Sequence, residues 1–176
     1  LVAIVPFMLV FRFLHIVAGI LWVGSAFLFV GFIGPSAAEV GPSAGPLLHA
    51  AVKKRKVAKV ITVLGATTVL AGWVMWLRDM SDAGGFSTWI TSSFGAVLSI
   101  GAVLATGAFF MGYFGVGQNV ERMVDLSDQI AASGGPPTPE QGARMQHLGA
   151  ELKKHGQIDL VMLLLAVSAM ATARYW

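Results

Sequence analysis

Four stretches of this 176-residue chain are long and apolar enough to cross a bilayer: about Val5 to Ile33, Val57 to Leu77, Trp89 to Val116 and Ile158 to Ala173. A spanning helix needs roughly 20 mainly apolar residues, because a backbone in hydrocarbon must satisfy its polar groups within itself. The fourth stretch is the shortest; it gains length from Gly156 and Gln157, and Tyr175 and Trp176 supply an interfacial aromatic anchor. This pattern predicts an all-α fold, a four-helix transmembrane bundle forming a single integral membrane domain over residues 1–176. Composition agrees, with 56% hydrophobic and 12% charged residues, against about 25% charged in an ordinary soluble domain.

Charge predicts the orientation. Lys53, Lys54, Arg55, Lys56 and Lys59 flank the start of the second span, and Arg122, Arg144, Lys153 and Lys154 lie between the third and fourth. The opposite side holds only Arg78 and Arg174, while Arg12 falls within the first span. The positive-inside rule makes the basic face cytoplasmic and puts both termini outside. The same distribution explains the net charge of +3 without nucleic acid. The first segment lacks the basic n-region and clear cleavage site of a signal peptide.

Between the spans, Pro35-Ser36-Ala37-Ala38 is expected to end the first helix. Gly41-Pro42-Ser43-Ala44-Gly45-Pro46 then crosses to the basic cluster as a loop. Asp82-Ala83-Gly84-Gly85 is a turn signal that makes the second and third helices antiparallel neighbours. A cytoplasmic arm of about residues 118–157 is expected to be a helical hairpin extending helices 3 and 4. Val120, Met123, Val124 and Ile130 form an apolar stripe among charged residues, and Met145, Leu148 and Leu152 form a second. Thr138, Pro139 and Gln141 spell a capping box at the start of the returning helix. Small residues crowd the third span, where Gly101-x-x-x-Ala105 and Ala108-x-x-x-Gly112 permit close backbone approach; Gly65 and Gly72 do the same on the second.

The first span carries the best functional pointer. Arg12, His15, Gly19 and Trp22 share one helix face, and ionisable groups in hydrocarbon need a partner, a ligand or a route to the headgroups. Arg12 is near enough to the outer end to snorkel. His15 is either a polar tie to a neighbouring helix or a contact for haem, copper or quinol. Gly19 beside it leaves room for a flat group or for another helix, and Gly24, on the opposite face, reads as a helix contact. His49, His147 and His155 belong to the cytoplasmic side, so they cannot join His15 on one metal. Met75 and Met170 lie nearer its level and are soft thioether candidates, although Met is also a common core filler. With no cysteine in the chain, thiolate metal sites and c-type haem attachment are excluded.

His155 and Asp159 make a second constellation at i, i+4 on the cytoplasmic entrance of the fourth helix. They form either an interfacial polar pair or a site for a proton, a cation or a quinone head group. No phosphate-binding Gly loop, H-E-x-x-H motif or G-x-S-x-G elbow occurs.

The run Phe11-Arg12-Phe13-Leu14-His15-Ile16-Val17-Ala18-Gly19-Ile20-Leu21-Trp22-Val23-Gly24 resembles the first-helix signature of a group of small bacterial membrane proteins. The group comprises the copper-resistance D family, the membrane part of bacterial urate oxidases, the membrane protoporphyrinogen oxidases and related integral membrane proteins. The resemblance covers about 25 residues; beyond them it rests on topology. His15, Gly19, Trp22 and Gly24 carry over by position, whereas the third span has no His or Lys where haem- or copper-binding members use further ligands. It implies a bacterial inner membrane location and haem b or copper contact at His15. Two function classes follow: a redox or metal-handling protein with an outer-leaflet haem, copper or quinol site, or a non-catalytic accessory subunit of a larger respiratory, photosynthetic or transport complex. The expected partners are lipid, a larger membrane complex or a second copy, and quinol. A solute transporter is the weakest reading, since four spans show no inverted repeat.

Overall fold

The computed structural model describes residues 4–176, all of whose regular elements are helical. Four helical runs are long and apolar enough to cross a membrane: Phe7–Lys54, Val57–Asp82, Ser93–Ala132 and Pro139–Tyr175. The fold is that of a multi-pass membrane protein.

The first run is longer than its sequence implies. Helix α1 (Ile4–Leu28) passes through a π-helical turn (Phe29–Ile33) into α2 (Gly34–Val40), so Pro35 does not end the helix. Proline breaks an α-helix because it lacks an N–H and its ring meets the carbonyl one turn back. Here the wider turn, with the Gly34 N–H on the Phe29 carbonyl, comes just before the ring and carries the helix past it. The Gly/Pro-rich crossing is likewise not a loop. A 3-10 turn (Gly41–Ala44) leads into α3 (Gly45–His49) and a second π-turn (Ala50–Lys54), with the change of direction taken at Gly41, whose φ is 67°. Lys56, in the left-handed region at φ 54°, then starts α4 (Val57–Asp82).

Gly84 and Gly85, both at positive φ, reverse the chain after α4. The third apolar stretch does not begin as a span at Trp89. It is split at Ser92, which closes the short α5 (Phe86–Thr91) and caps α6 (Ser93–Phe110). The Ser92 hydroxyl donates to the Trp89 carbonyl at 2.7 Å and accepts from the Gly95 N–H at 3.1 Å. Apolar content alone runs straight through this joint, because Trp89 is buried against Gly95 and is as apolar in character as the span that follows.

Beyond α6 a third π-helical segment (Met111–Gly117) leads into α7 (Gln118–Ala132), and α8 (Pro139–Thr172) returns through 34 residues. Thr138 Oγ1 accepts from the Gln141 N–H while the Gln141 side chain accepts from the Thr138 N–H, satisfying two donors at the helix start. The first half of α8 packs along α7, and Val124, Leu126 and Leu148 are buried in the arm. In the bundle α1 lies on α4, α4 on α6, and α6 on α8. Gly101 admits Met170 and Gly107 admits Met162, so the small residues of α6 draw α8 close. At mid-height the helices meet on Trp22, Ala108 and Leu163. The far end of the first run is tied to the arm: His49 Nε2 is 2.8 Å from Asp128, and Lys53 Nζ is 2.7 Å from Asp125 and 3.5 Å from Asp128. Hydrogen bonding to Asp125 holds the Lys53 ammonium above its ordinary range.

Candidate functional site

Two polar seams stand out within the bundle. In the first, α1 and α4 interlock through alternating large and small residues. Gly72 of α4 is covered by the His15 ring, Gly19 of α1 by Thr68, and Gly65 of α4 by Trp22. A Cβ at Gly72 would come within 2.9 Å of His15 Cε1, and one at Gly65 within 2.9 Å of the Trp22 ring and 3.1 Å of Phe109. At Gly19 the nearest atom would be the Thr68 methyl, at 3.3 Å. Gly19 therefore makes room for Thr68 of the neighbouring helix.

Because Gly72 lacks a side chain, the imidazole reaches the α4 backbone: His15 Nδ1 lies 2.8 Å from the Thr68 carbonyl oxygen. A carbonyl only accepts, so Nδ1 carries the proton, and in the neutral ring Nε2 is left with its lone pair. Thr68 Oγ1 is itself satisfied, donating to the Leu64 carbonyl at 2.8 Å. Arg12 is exposed, and its charge acts on Asp79 near the end of α4. Met75 is half-buried on α4, whereas Met170 packs against Gly101 in the seam between α6 and α8. The structure thus places Met170 in a different seam from His15. No group of three His, Cys, Asp or Glu side chains gathers among the described residues. Gly24 faces open space and makes no helix contact, contrary to the reading from sequence.

The second seam lies where α8 meets the π-helical segment. Gly112 faces the Asp159 carboxyl, with its Cβ position 3.5 Å from Oδ1, and Gly115 faces the His155 ring, with its Cβ position 2.9 Å from Cγ. Asp159 is 5% exposed and its Oδ1 has no hydrogen-bond partner among the described residues; the buried Nδ1 of His155 has none among them either. The two residues share a face without forming an ion pair. His155 Nε2 instead approaches Glu151 at 3.6 Å, one turn the other way. Next to them Asn119 is buried, donating to the Gly115 carbonyl at 2.8 Å.

Sequence reading missed the indole ties between α4 and α6, Trp73 Nε1 to Thr106 Oγ1 at 3.0 Å and Trp76 Nε1 to Ser99 Oγ at 2.9 Å. Trp73 and Trp76, one turn apart on the second span, and Ser99 and Thr106, two turns apart on the third, were the available signal. Comparison with protein-family models, curated proteins and solved structures finds no match to this chain.

Proposed function

We propose that this is a redox or metal-handling protein of the bacterial inner membrane, in which His15 offers Nε2 to haem iron, copper or the hydroxyl of a quinol in the outer half of the bundle. One observation carries the reading: the 2.8 Å contact of Nδ1 with the Thr68 carbonyl. A ligating histidine commonly donates its other ring N–H to a carbonyl or carboxylate, which fixes the tautomer and aims the free nitrogen. The resemblance of residues 11–24 to the copper-resistance D and protoporphyrinogen oxidase group points to the same residue. His15 would be the first ligand from this seam. A second would come from a thioether such as Met75, from another subunit or from the ligand's own chemistry, and a bound metal would supply one-electron chemistry there. The charge pattern supports a basic cytoplasmic face with both termini outside.

The test is a reduced-minus-oxidised spectrum, a copper determination and a quinone extraction on the full chain in mild detergent. One of the three is expected to be positive in the wild type and in Gly24→Ala, and to be lost in His15→Asn, which keeps a donor toward Thr68 but no lone pair in place of Nε2. A wild type negative in all three, or occupancy equal in His15→Asn, overturns the reading. Recovery of the chain only within a larger assembly, with no such ligand, would favour an accessory subunit instead.

A further inference from the structure

The second seam belongs to a longer pattern that does not depend on His15. Four titratable residues recur at every fourth position of α8, His147, Glu151, His155 and Asp159, and so lie along one face of that helix. Their exposure falls steadily toward the bundle. His147 is exposed, the Glu151 side chain is 35% exposed, that of His155 is 25%, and Asp159 is 5%. The outer three line an open pocket of about 370 Å³, together with Arg122, Arg144 and Asn119. The innermost residue sits beyond that pocket, against Gly112.

We propose that Asp159 is a proton-binding site loaded from this pocket through Glu151 and His155. A partnerless carboxylate is costly to bury as an anion, and a carboxyl group there is retained most cheaply with its proton on. A proton site needs a route to water, and the ladder supplies it. His155 turns Nε2 toward the half-exposed Glu151 and keeps Nδ1 sealed inside without a partner. An imidazole so placed takes a proton at Nε2 from Glu151 or pocket water and releases one at Nδ1; because Nδ1 is not hydrogen-bonded to Asp159, a ring rotation or an entering water carries that proton to the carboxylate, and the return step reverses both transfers. No electron moves, and water is the proton source and sink.

The surroundings fit this assignment. From α7, Arg122 faces the pocket and bonds only to amide oxygens, Asn119 Oδ1 at 3.5 Å and Gln118 Oε1 at 3.3 Å. Arg144 of α8 also lines the pocket, and no carboxylate among the described residues pairs with it. From the π-helical segment Gly112 faces Asp159, Gly115 and Met111 lie at His155, and Phe114 lines the pocket, while Tyr113 is exposed. On the first helical run the neighbour of Gly156 is Val30, which is not titratable. Further along α8 come the buried Leu163 and Ala166, and the seam is closed by Leu163 with Ala108 and Trp22. The site is a dead end open to one side of the membrane, so it binds a proton and does not conduct one.

Infrared difference spectra of the full chain in lipid, recorded after pH jumps, test this. The wild type is expected to show a protonated-carboxyl band that changes with pH and is absent in Asp159→Asn. In His155→Gln and Glu151→Gln, which retain Asp159, the band should persist but respond at least about tenfold more slowly, as removal of a general acid–base group implies. Absence of any band assignable to Asp159, or unchanged kinetics in both relay variants, overturns the proposal. Those two variants keep it decidable if Asp159→Asn does not fold.

Discussion

The α1–α4 seam and the seam between α8 and the π-helical segment each set a polar side chain against a glycine and end in opposite states. In each, a polar side chain lies opposite a glycine of the neighbouring segment: Gly72 makes room for His15, whereas Gly112 faces Asp159 at ordinary contact distance. At His15 the polar atom reaches a carbonyl, and the hydroxyl beside it finds another. At Asp159 a buried oxygen reaches nothing. Close approach is therefore not what distinguishes a structural tie from a chemical site. The first seam spends its polarity on holding two helices in register and orients one free nitrogen as a by-product. The second leaves a titratable group unpaired and gives it an aqueous approach.

The largest test of this contrast is steric. Gly65→Ala and Gly72→Ala each push a Cβ to within 2.9 Å of a ring that fills the α1–α4 seam. They should lower stability in detergent unfolding by about 1–3 kcal/mol, the usual cost of overpacking. Asp159→Leu should act in the other direction, raising stability by about 1–2 kcal/mol as an unsatisfied buried group is replaced by an apolar one of similar shape. A loss of that size would mean the carboxyl has a partner after all. His15→Leu removes a made hydrogen bond and should cost about 1 kcal/mol, the scale of interhelical hydrogen bonds in membranes. Smallest is Gly112→Ala. Its Cβ would meet Asp159 at an ordinary 3.5 Å, so unfolding should shift by no more than about 0.5 kcal/mol, with a gain in helix propensity. A large loss there would show that the two glycines do the same job and would erase the distinction.

Much of this was legible in the residues, but unevenly. The four apolar runs and His15 are conspicuous because length and charge in hydrocarbon are local properties. Gly65 and Gly72 could be read as packing positions seven residues apart; that they receive Trp22 and His15 depends on the rotation of α1 against α4, which no local pattern encodes. The thioethers seemed interchangeable at the level of depth, yet Met170 belongs to another seam. Pro35 reads as a stop because the signal for continuing past it is a wider turn five residues long, and such turns have no composition of their own. Ser92 was hidden for a related reason: a single capping hydroxyl divides an apolar run whose two halves look alike. Asp159 and His155 were visible as a spaced pair, whereas the direction of the histidine, toward Glu151, came only from the fold.

The π-helical segment at Met111–Gly117 has a consequence for phase. A turn closed by bonds to the fifth residue holds more residues than an α-turn, so every position after it is rotated relative to an uninterrupted helix, by about 100° for each extra residue. The face of α6 that meets α8 and the face of α7 that meets α8 are therefore offset in register, and both still point at the same partner helix. Removing one residue from 111–117 would let the backbone close as an ordinary α-helix. Bundle and arm could then no longer both lie on α8, although no side chain at either interface had changed.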